Sequence, residues 1–307
     1  MKMTSLVLDK CRKRHSQDCT DNEDRLMKKI LGIVGSPRKS GNCEIMIKEI
    51  SRQIVIPHEL DLLRLSDFNI EPCRGCYQCL FQEEGCHQKD DFYFVLNSIL
   101  NADALVLAAP TYFLGPNACL KQFIDRGLAF YAHTERLWAK PAVGVCVAGI
   151  EGKEGYSRLG IESFLKMILA DIKMTAVVYG ALLGEIFIDE KNKKIAEKLA
   201  LSLLSDKPLN RQPACPNCGG DTFRFIDHAT VRCMLCSNTG IFSMKEGRPV
   251  FEIKRSAHEL FLTKEDVFEH RDWLKGMKNR FIEQKETLRR ITGEYRRDGK
   301  WFRKSEV

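Results

Sequence analysis

The sequence predicts an α/β fold with a doubly wound, five-stranded parallel sheet, followed by a small cysteine module and a C-terminal helix. Short β-type apolar runs alternate with longer helical segments between residues 29 and 205, as they do in βαβ units. The third and fourth runs are almost wholly apolar, as in strands that are covered on both faces. Two pairs of CxxC cysteines beyond residue 213 predict the separate module.

The bulk composition is that of a globular protein. The 307 residues suffice for one large α/β domain and a smaller module, and the hydrophobic (44%) and charged (29%) fractions are ordinary. No apolar run approaches the roughly 20 residues of a transmembrane helix. Residues 1–28 mix charges of both signs and lack the apolar core of a secretion signal, so we expect a flexible N-terminal extension and a cytoplasmic protein with reduced thiols.

The bounds of each predicted element follow from its hydrophobic pattern and from the turn, proline and capping residues at its ends. The predicted strands cover residues 30–35, 59–65, 104–109, 142–148 and 175–180, and the predicted helices cover residues 42–54, 90–100, 117–130, 157–170 and 190–204. Two prolines mark a linker at 206–213, before a module at 214–243 and a C-terminal strand and helix extension at 244–307. A capping box at Thr263 and Asp266 predicts the start of the long helix.

A loop rich in small and hydroxyl residues, 35–43, connects the first strand to the first helix. Backbone N–H groups in such a turn, together with a helix N-terminus, attract anions. The hydroxyls of Ser36 and Ser40 can donate hydrogen bonds, and Arg38 adds positive charge. Neither GxGxxG nor GK[ST] is present, which excludes the common dinucleotide and nucleoside triphosphate loops. The loop predicts a phosphate site, with a polar turn capped by Ser40 or Asn42 as the alternative.

Two further loops lie at the same predicted edge of the sheet, where ligands of open α/β sheets bind. Residues 110–117 follow the third strand and offer aromatic surface and backbone amides, which suit a flat ring such as isoalloxazine. Gly149 opens a glycine-rich rim after the fourth strand. The three loops together predict one pocket for a phosphorylated, ring-bearing ligand.

Three segments resemble the NADPH-dependent FMN reductase group of the flavodoxin-like superfamily: GSPRKSGN at 35–42, PTYF at 110–113 and CLKQFIDR at 119–126. The resemblance covers about residues 29–205 and implies strand order 2-1-3-4-5, one noncovalent FMN, NAD(P)H as a possible co-substrate and usually a homodimer. By position it implies phosphate contacts from Ser36, Arg38, Ser40, Gly41, Asn42 and Cys43, and a flavin ring bordered by Pro110, Thr111, Tyr112, Phe113, Leu114, Gly115 and Gly149. Cys43 replaces the Thr or Ser common in the group, so the hydroxyl contact is missing there.

The first cysteine cluster lies after the second strand. Cys73, Cys76 and Cys79 form a CxxCxxC pattern, and Cys86 follows in the same loop. Four thiolates on one tight loop predict a [4Fe-4S] cluster, with zinc in the same ligands or a loop without metal as alternatives. The complete set of four resembles the iron-sulfur flavoproteins of anaerobes. A one-electron cluster beside a flavin would convert between hydride and single-electron donors.

The second cysteine cluster has the spacing of a zinc ribbon. Cys215 and Cys218 form one CxxC knuckle, and Cys233 and Cys236 form the other after fourteen residues. Bound metal would supply much of the folding free energy of so small a module. Rubredoxin-like iron in the same thiolates remains an alternative.

These patterns predict an FMN-dependent oxidoreductase of the iron-sulfur flavoprotein type. Electrons would pass between reduced nicotinamide or ferredoxin, FMN and the [4Fe-4S] cluster to an unknown acceptor, with no side chain acting as acid or base. The alternative is a flavin-binding redox sensor or scaffold whose ribbon and C-terminal helix bind a protein or nucleic acid. The net charge of +7 is spread among residues of both signs, which does not favour nucleic acid.

Overall fold

The computed structural model describes residues 29–82, 85–206 and 213–299. The predicted N-terminal extension at 1–28, most of the linker at 206–213 and residues 300–307 of the C-terminal extension lie outside these ranges.

A parallel sheet forms the centre of the α/β part. Its strands are β1 (Lys29–Val34), β2 (Glu59–Arg64), β3 (Ala104–Tyr112), β5 (Pro141–Ala148) and β6 (Asp171–Tyr179), and a short strand, β4 (Gly115–Pro116), pairs antiparallel with the end of β3. The parallel strands lie in the order β2-β1-β3-β5-β6. This order confirms the predicted doubly wound, flavodoxin-like α/β class.

Helices cover both faces of the sheet. They are α1 (Asn42–Arg52), α2 (Phe92–Asn101), α3 (Ala118–Ile124), α4 (Thr134–Leu137), α5 (Ser157–Met167) and α6 (Glu190–Leu203). Alternate residues of β1 serve the two faces: Ile30 and Val34 join the core formed with α1 and α6, whereas Leu31 and Ile33 join the core formed with α2, α3 and α5. The sheet, including the carboxyl ends of its strands, is therefore packed between two apolar cores, one on each face.

One predicted helix, 117–130, was wrong in its second half. The α-helix ends at Ile124, and a 3-10 helix follows at Gly127–His133. Between them, Arg126 is buried and turns its side chain toward Asp90 and Cys86. The predicted helix at 157–170 also ends early, because Leu169 adopts a left-handed conformation with φ of 62°. As a result, β6 begins at Asp171 rather than at residue 175.

The C-terminal part contains an antiparallel sheet of β7 (Phe223–Phe225), β8 (Thr230–Cys233), β9 (Thr239–Lys245) and β10 (Arg248–Ile253), in the order β10-β9-β8-β7. This sheet continues past residue 243, where we placed the end of the module. The helices α7 (Lys264–Glu283) and α8 (Lys285–Glu294) follow, and α7 begins with the predicted capping box of Thr263 and Asp266. Val231 and Cys233 belong to the same apolar core as Phe164 of α5. Among the helices described, none is long and apolar enough to cross a membrane.

Candidate cofactor and metal sites

The loop between β1 and α1 is held in shape by an arginine from β2. Arg64 Nη1 donates hydrogen bonds to the backbone oxygens of Ser36 (3.1 Å) and Arg38 (2.7 Å). Arg64 Nη2 pairs with the carboxylate of Glu44 at 2.8 Å. The loop is therefore anchored from beneath by a guanidinium group. Sequence reasoning missed Arg64 because nothing in β2 itself indicates a partner 26 residues away.

Glu44 is the second anchor of this loop. Its carboxylate accepts hydrogen bonds from Lys48 Nζ (2.6 Å) and from the backbone N–H of Ser40 (2.9 Å). The hydrogen bond from Lys48, followed by those from Arg64 and Ser40, lowers the pKa of Glu44 to about 2 against the cost of burial. Glu44 is therefore ionised at neutral pH, and two cations offset its charge.

The first turn of α1 points unpaired N–H groups toward the sheet edge. Gly41 is the N-cap residue, and no side chain caps the helix there. The alternative of a turn capped by Ser40 or Asn42 is therefore not what the structure has. Because the first N–H groups of a helix have no partner within it, an anion can accept their hydrogen bonds. The loop geometry is that of an anion cradle.

Asn42 connects the cradle to the loop after β6. Its Nδ2 donates to the backbone oxygens of Gly180 (3.0 Å) and Leu182 (2.8 Å), and its Oδ1 accepts from the N–H of Gly184 (2.9 Å). Both N–H bonds of the side-chain amide and one acceptor position of its oxygen are thus used within the protein. Asn42 shapes the site through its side chain, and its backbone N–H is the group that remains for a phosphate.

These loops surround an open cleft of about 170 Å³ at the carboxyl ends of the strands. Of the predicted residues, the cleft is lined by Ser36, Arg38, Asn42, Cys43, Pro110, Thr111, Tyr112 and Gly149. The predicted residues Ser40, Gly41, Phe113, Leu114 and Gly115 are not among its lining residues. The structure adds Val147, Gly180, Ala181 and Leu183, which sequence reasoning missed. The position of the 180–184 loop after the last parallel strand was the available signal.

The tip of the β3–β4 hairpin rises from the rim of the cleft. Phe113 and Leu114 both have positive φ, 47° and 66°, in a turn where Asn-Gly is usually preferred. Each such residue costs roughly 1–2 kcal/mol. The hydrogen bond from Tyr156 N–H to the Leu114 oxygen, 2.8 Å, ties the tip to the rim that begins at Gly149. Phe113 is fully exposed at the tip of the hairpin, and Tyr112 is the aromatic residue of this hairpin that lines the cleft.

Cys43 lines the cleft, and two further neutral thiols, Cys119 and Cys146, lie near it. Burial raises the pKa of Cys43 and that of Cys119 to about 12. The thiol of Cys119 lies 3.6 Å from the Gly35 oxygen, and that of Cys146 lies 3.3 Å from Thr111 Oγ1. A protonated thiol at Cys43 leaves the anion cradle without a competing negative charge.

The first cysteine cluster occupies the loop that leaves β2 at the same edge of the sheet. Cys73 and Cys76 are exposed, while Cys79 and Cys86 are half-buried. Burial, then the neighbouring thiols Cys86, Cys76 and Cys73, raise the pKa of Cys79 to about 11. N–H groups donate to two of the sulfur atoms, from Gly75 to Cys73 (3.5 Å) and from Arg126 to Cys86 (3.2 Å). Such donors fit thiolates that carry negative charge.

The second cysteine cluster is much tighter. The sulfur atoms of Cys215 and Cys236 are 3.8 Å apart, and those of Cys218 and Cys233 are 3.5 Å apart. Hydrogen bonds from the three other thiols lower the pKa of Cys215. Four thiolates about 2.3 Å from one ion at tetrahedral angles are separated by roughly 3.8 Å. In the part of the chain described, no other group of three or more His, Cys, Asp or Glu side chains is close enough together to hold one metal ion.

The two knuckles have matching backbone hydrogen bonds. In each knuckle, the N–H of the residue four positions after the first cysteine donates to that cysteine's oxygen at 2.9 Å, from Gly219 to Cys215 and from Ser237 to Cys233. Lys166 of α5 lies half-buried near this site and above the ring of Phe261. Burial lowers the pKa of Lys166, and the sulfur atoms of Cys218 and Cys236 oppose that shift.

A profile of the family described as NADPH-dependent FMN reductase matches residues 28–178. An iron-sulfur flavoprotein of Archaeoglobus fulgidus is 39% identical over 101 residues, which are 32% of this chain and 48% of the relative. An iron-sulfur flavoprotein of Methanocaldococcus jannaschii is 38% identical over 100 residues, 32% of this chain and 51% of the relative. The chain therefore spans about half the length of these curated relatives.

Among solved structures, a flavone reductase superposes with a TM-score of 0.66 at 19% identity, covering 90% of this chain and 100% of that one. At this identity the similarity establishes the fold. The profile match and the relatives confirm the resemblance drawn from the phosphate loop and its neighbours. The α/β part of this chain, over residues 28–178, belongs to the NADPH-dependent FMN reductase family.

Proposed function

We propose that this protein is an FMN-dependent oxidoreductase of the iron-sulfur flavoprotein type. In this proposal FMN occupies the cleft at the sheet edge, the loop from Cys73 to Cys86 carries a [4Fe-4S] cluster, and the ribbon holds one zinc ion. Reduced nicotinamide or ferredoxin supplies the electrons. The residues that line the cleft do not identify the electron acceptor. The single observation that carries the proposal is the joining of the anion cradle, the β3–β4 hairpin and the 180–184 loop around one cleft.

The residues present fit FMN. The phosphate would accept hydrogen bonds from the first-turn N–H groups of α1 and from the hydroxyl of Ser36, with positive charge from Arg38. The ring would lie along Thr111 and Tyr112. Bound FMN supplies hydride and single-electron chemistry, while the protein orients the ring and limits the access of water.

The residues of the first cysteine loop fit a cluster better than a single ion. Four thiols influence one another around Cys79, yet they do not contract to the spacing seen in the ribbon. A cluster of four irons and four sulfides is larger than one ion, so its ligands must stand farther apart. The N–H donors to Cys73 and Cys86 suit sulfur atoms that bear charge. The loop leaves β2 at the sheet edge that also forms the FMN cleft.

The sulfur spacing in the ribbon fits one tetrahedral ion. Zinc is proposed because paired CxxC knuckles typically hold it, and iron in the same thiolates is distinguished by its colour and by metal analysis. A divalent ion with four thiolates carries two net negative charges. The half-buried cation Lys166 is placed to offset part of that charge.

A homodimer is part of the proposal. Apolar side chains stand exposed around the cleft, on the hairpin, the glycine-rich rim and the 180–184 loop: Tyr112, Phe113, Leu114, Ile150, Tyr156, Leu182 and Leu183. Exposed apolar side chains in such number around a cleft are typical of an interaction surface. Sedimentation of the FMN-loaded chain tests this directly, and a monomer at micromolar concentration would contradict it.

The test of the proposed function is anaerobic purification followed by flavin, iron, sulfide and zinc analysis. We expect roughly four iron, four sulfide, one zinc and one FMN per chain. Cys79→Ser should lose the iron and sulfide and keep the zinc, whereas Cys218→Ser should lose the zinc and keep the sulfide. Cys119→Ser makes the same chemical change outside both clusters, and its metal content should equal that of the wild type.

Turnover separates the enzyme from the sensor or scaffold. The loaded protein is assayed for NADH and NADPH oxidation and for reaction with reduced ferredoxin, with quinone and ferricyanide as acceptors. Turnover with one of these donors supports the proposal. A fully loaded protein that reacts with none of them contradicts it, and a strongly salt-dependent affinity for DNA or RNA would then favour the alternative.

A further inference from the structure

Arg126 is a buried arginine whose role the proposed function leaves open. It lies where the chain leaves α3, and its side chain is 1% exposed. Its Nη1 pairs with Asp90, and its Nη2 donates to the sulfur of Cys86 at 3.2 Å. Its guanidinium carbon lies 4.2 Å from the centre of the Phe92 ring. One cation thus joins a cluster ligand to the buried end of α2.

The side chains around Arg126 fix its position, and its burial costs desolvation free energy. The side chain of Asp90 is fully buried and also accepts hydrogen bonds from the N–H groups of Glu71 (2.7 Å) and Phe92 (3.2 Å). The Nε of Arg126 is buried without a hydrogen-bond partner. A buried ion pair with an unsatisfied donor is a weak source of stability, since desolvation offsets the attraction between the charges. The arrangement positions a charge rather than maximising hydrogen bonding.

Cys86 is held from its backbone side as well. Its N–H donates to the hydroxyl of Tyr93 in α2. Gly85 has φ of 79°, and a Cβ there would lie 2.1 Å from the Tyr93 hydroxyl oxygen, so only glycine fits. The backbone and the sulfur of Cys86 therefore each have a partner in the protein, the half-buried Tyr93 for the backbone and the buried Arg126 for the sulfur.

We propose that Arg126 is a positioning residue that holds the Cys86 thiolate and raises the reduction potential of the iron-sulfur cluster on this loop. The inference rests on the proposed function, which supplies the cluster and the electron donor. Reduction adds one electron and one negative charge to the cluster, and no proton leaves Arg126. A buried cation that donates to a ligand sulfur stabilises the reduced form more than the oxidised form. Removing it must lower the potential.

The test is an anaerobic redox titration of the full chain, followed by electron paramagnetic resonance, on wild type, Arg126→Gln, Arg126→Lys and Arg136→Gln. Arg136 is an exposed arginine that donates to Asn101 Oδ1, so its replacement controls for net charge. We expect Arg126→Gln to shift the reduction equilibrium at least tenfold toward the oxidised cluster, about 59 mV for a one-electron couple. Arg126→Lys should fall between Arg126→Gln and wild type, and Arg136→Gln should stay within twofold of wild type.

The outcomes separate the inference from its premise. An unchanged potential in an Arg126 variant with full iron content overturns the inference and leaves the proposed function intact. If both Arg126 variants lose iron while their melting temperatures equal that of the wild type, the result supports the proposal that Arg126 holds Cys86. If both variants lose iron and also unfold, Arg126 has a structural role and the inference is overturned. A wild-type chain without sulfide contradicts the proposed function itself.

Discussion

Replacing Asn42 should damage both the fold and FMN binding, and the aspartate variant should be worse than the alanine variant. Asn42 is 9% exposed and makes three hydrogen bonds to the 180–184 loop, of 2.8, 2.9 and 3.0 Å. At about 1 kcal/mol each, Asn42→Ala should cost roughly 2–4 kcal/mol of unfolding free energy. Asn42→Asp places a buried carboxylate against the two backbone oxygens that accepted from Nδ2, so its cost should be about 3–5 kcal/mol.

Urea unfolding of the FMN-free chain measures these costs, and quenching of flavin fluorescence measures the Kd for FMN. The Kd should rise at least tenfold in both variants, because each 1.4 kcal/mol spent on ordering the loop is a factor of ten. Asn97→Asp, at an exposed position of α2, makes the same charge change without the loop contacts. If Asn42→Asp is no less stable than Asn97→Asp, the side chain does not hold the loop and the reasoning fails.

Three further changes follow from the same contacts. Glu44 has a folded pKa of about 2, below its ordinary 4.5, so its contribution is present above about pH 4.5 and is lost as the pH falls toward 2. Between pH 7 and 2 the wild type should therefore lose roughly 3 kcal/mol more than Glu44→Gln in urea titrations, at 1.36 kcal/mol per pKa unit, and equal losses would contradict this. Gly155→Ala should reduce stability more than Gly152→Ala, although both glycines have positive φ. A Cβ at residue 155 would lie 2.1 Å from the Leu114 oxygen, whereas a Cβ at residue 152 would meet no atom within 4 Å. Equal melting temperatures of the two variants would refute the contact between residue 155 and the hairpin tip. Cys218→Ser should release zinc and lower the melting temperature of the whole chain in one transition, because the ribbon shares its apolar core with α5, and an unchanged transition would show that the ribbon is energetically separate.

The sheet and its order were predictable because burial controls them. Strands covered on both faces must be apolar, and the runs at 104–109 and 142–148 lie within β3 and β5. The predicted helix at 117–130 failed because a single buried side chain, Arg126, ended it. Its partner Asp90 lies 36 residues away, beyond any local pattern.

The cleft was predictable in part for the same reason. The phosphate loop and the residues after β3 carry local turn signals, whereas the 180–184 loop has none that indicate a ligand. Its place is set by the side chain of Asn42, which reaches across about 140 residues of sequence. Arg64 and Glu44 act in the same way beneath the loop. The two cysteine clusters could be recognised without such contacts, since the CxxC spacing that predicts metal ligands is a local sequence pattern.

The comparison of FMN with riboflavin tests the central claim most directly, because the two ligands differ only in the phosphate that the α1 cradle is proposed to bind. Charge-assisted hydrogen bonds contribute about 1.5–3 kcal/mol each. We therefore predict that riboflavin binds the wild-type chain at least a hundredfold more weakly than FMN, a difference of about 2.7 kcal/mol. Equal dissociation constants for the two ligands would contradict the assignment of the cleft.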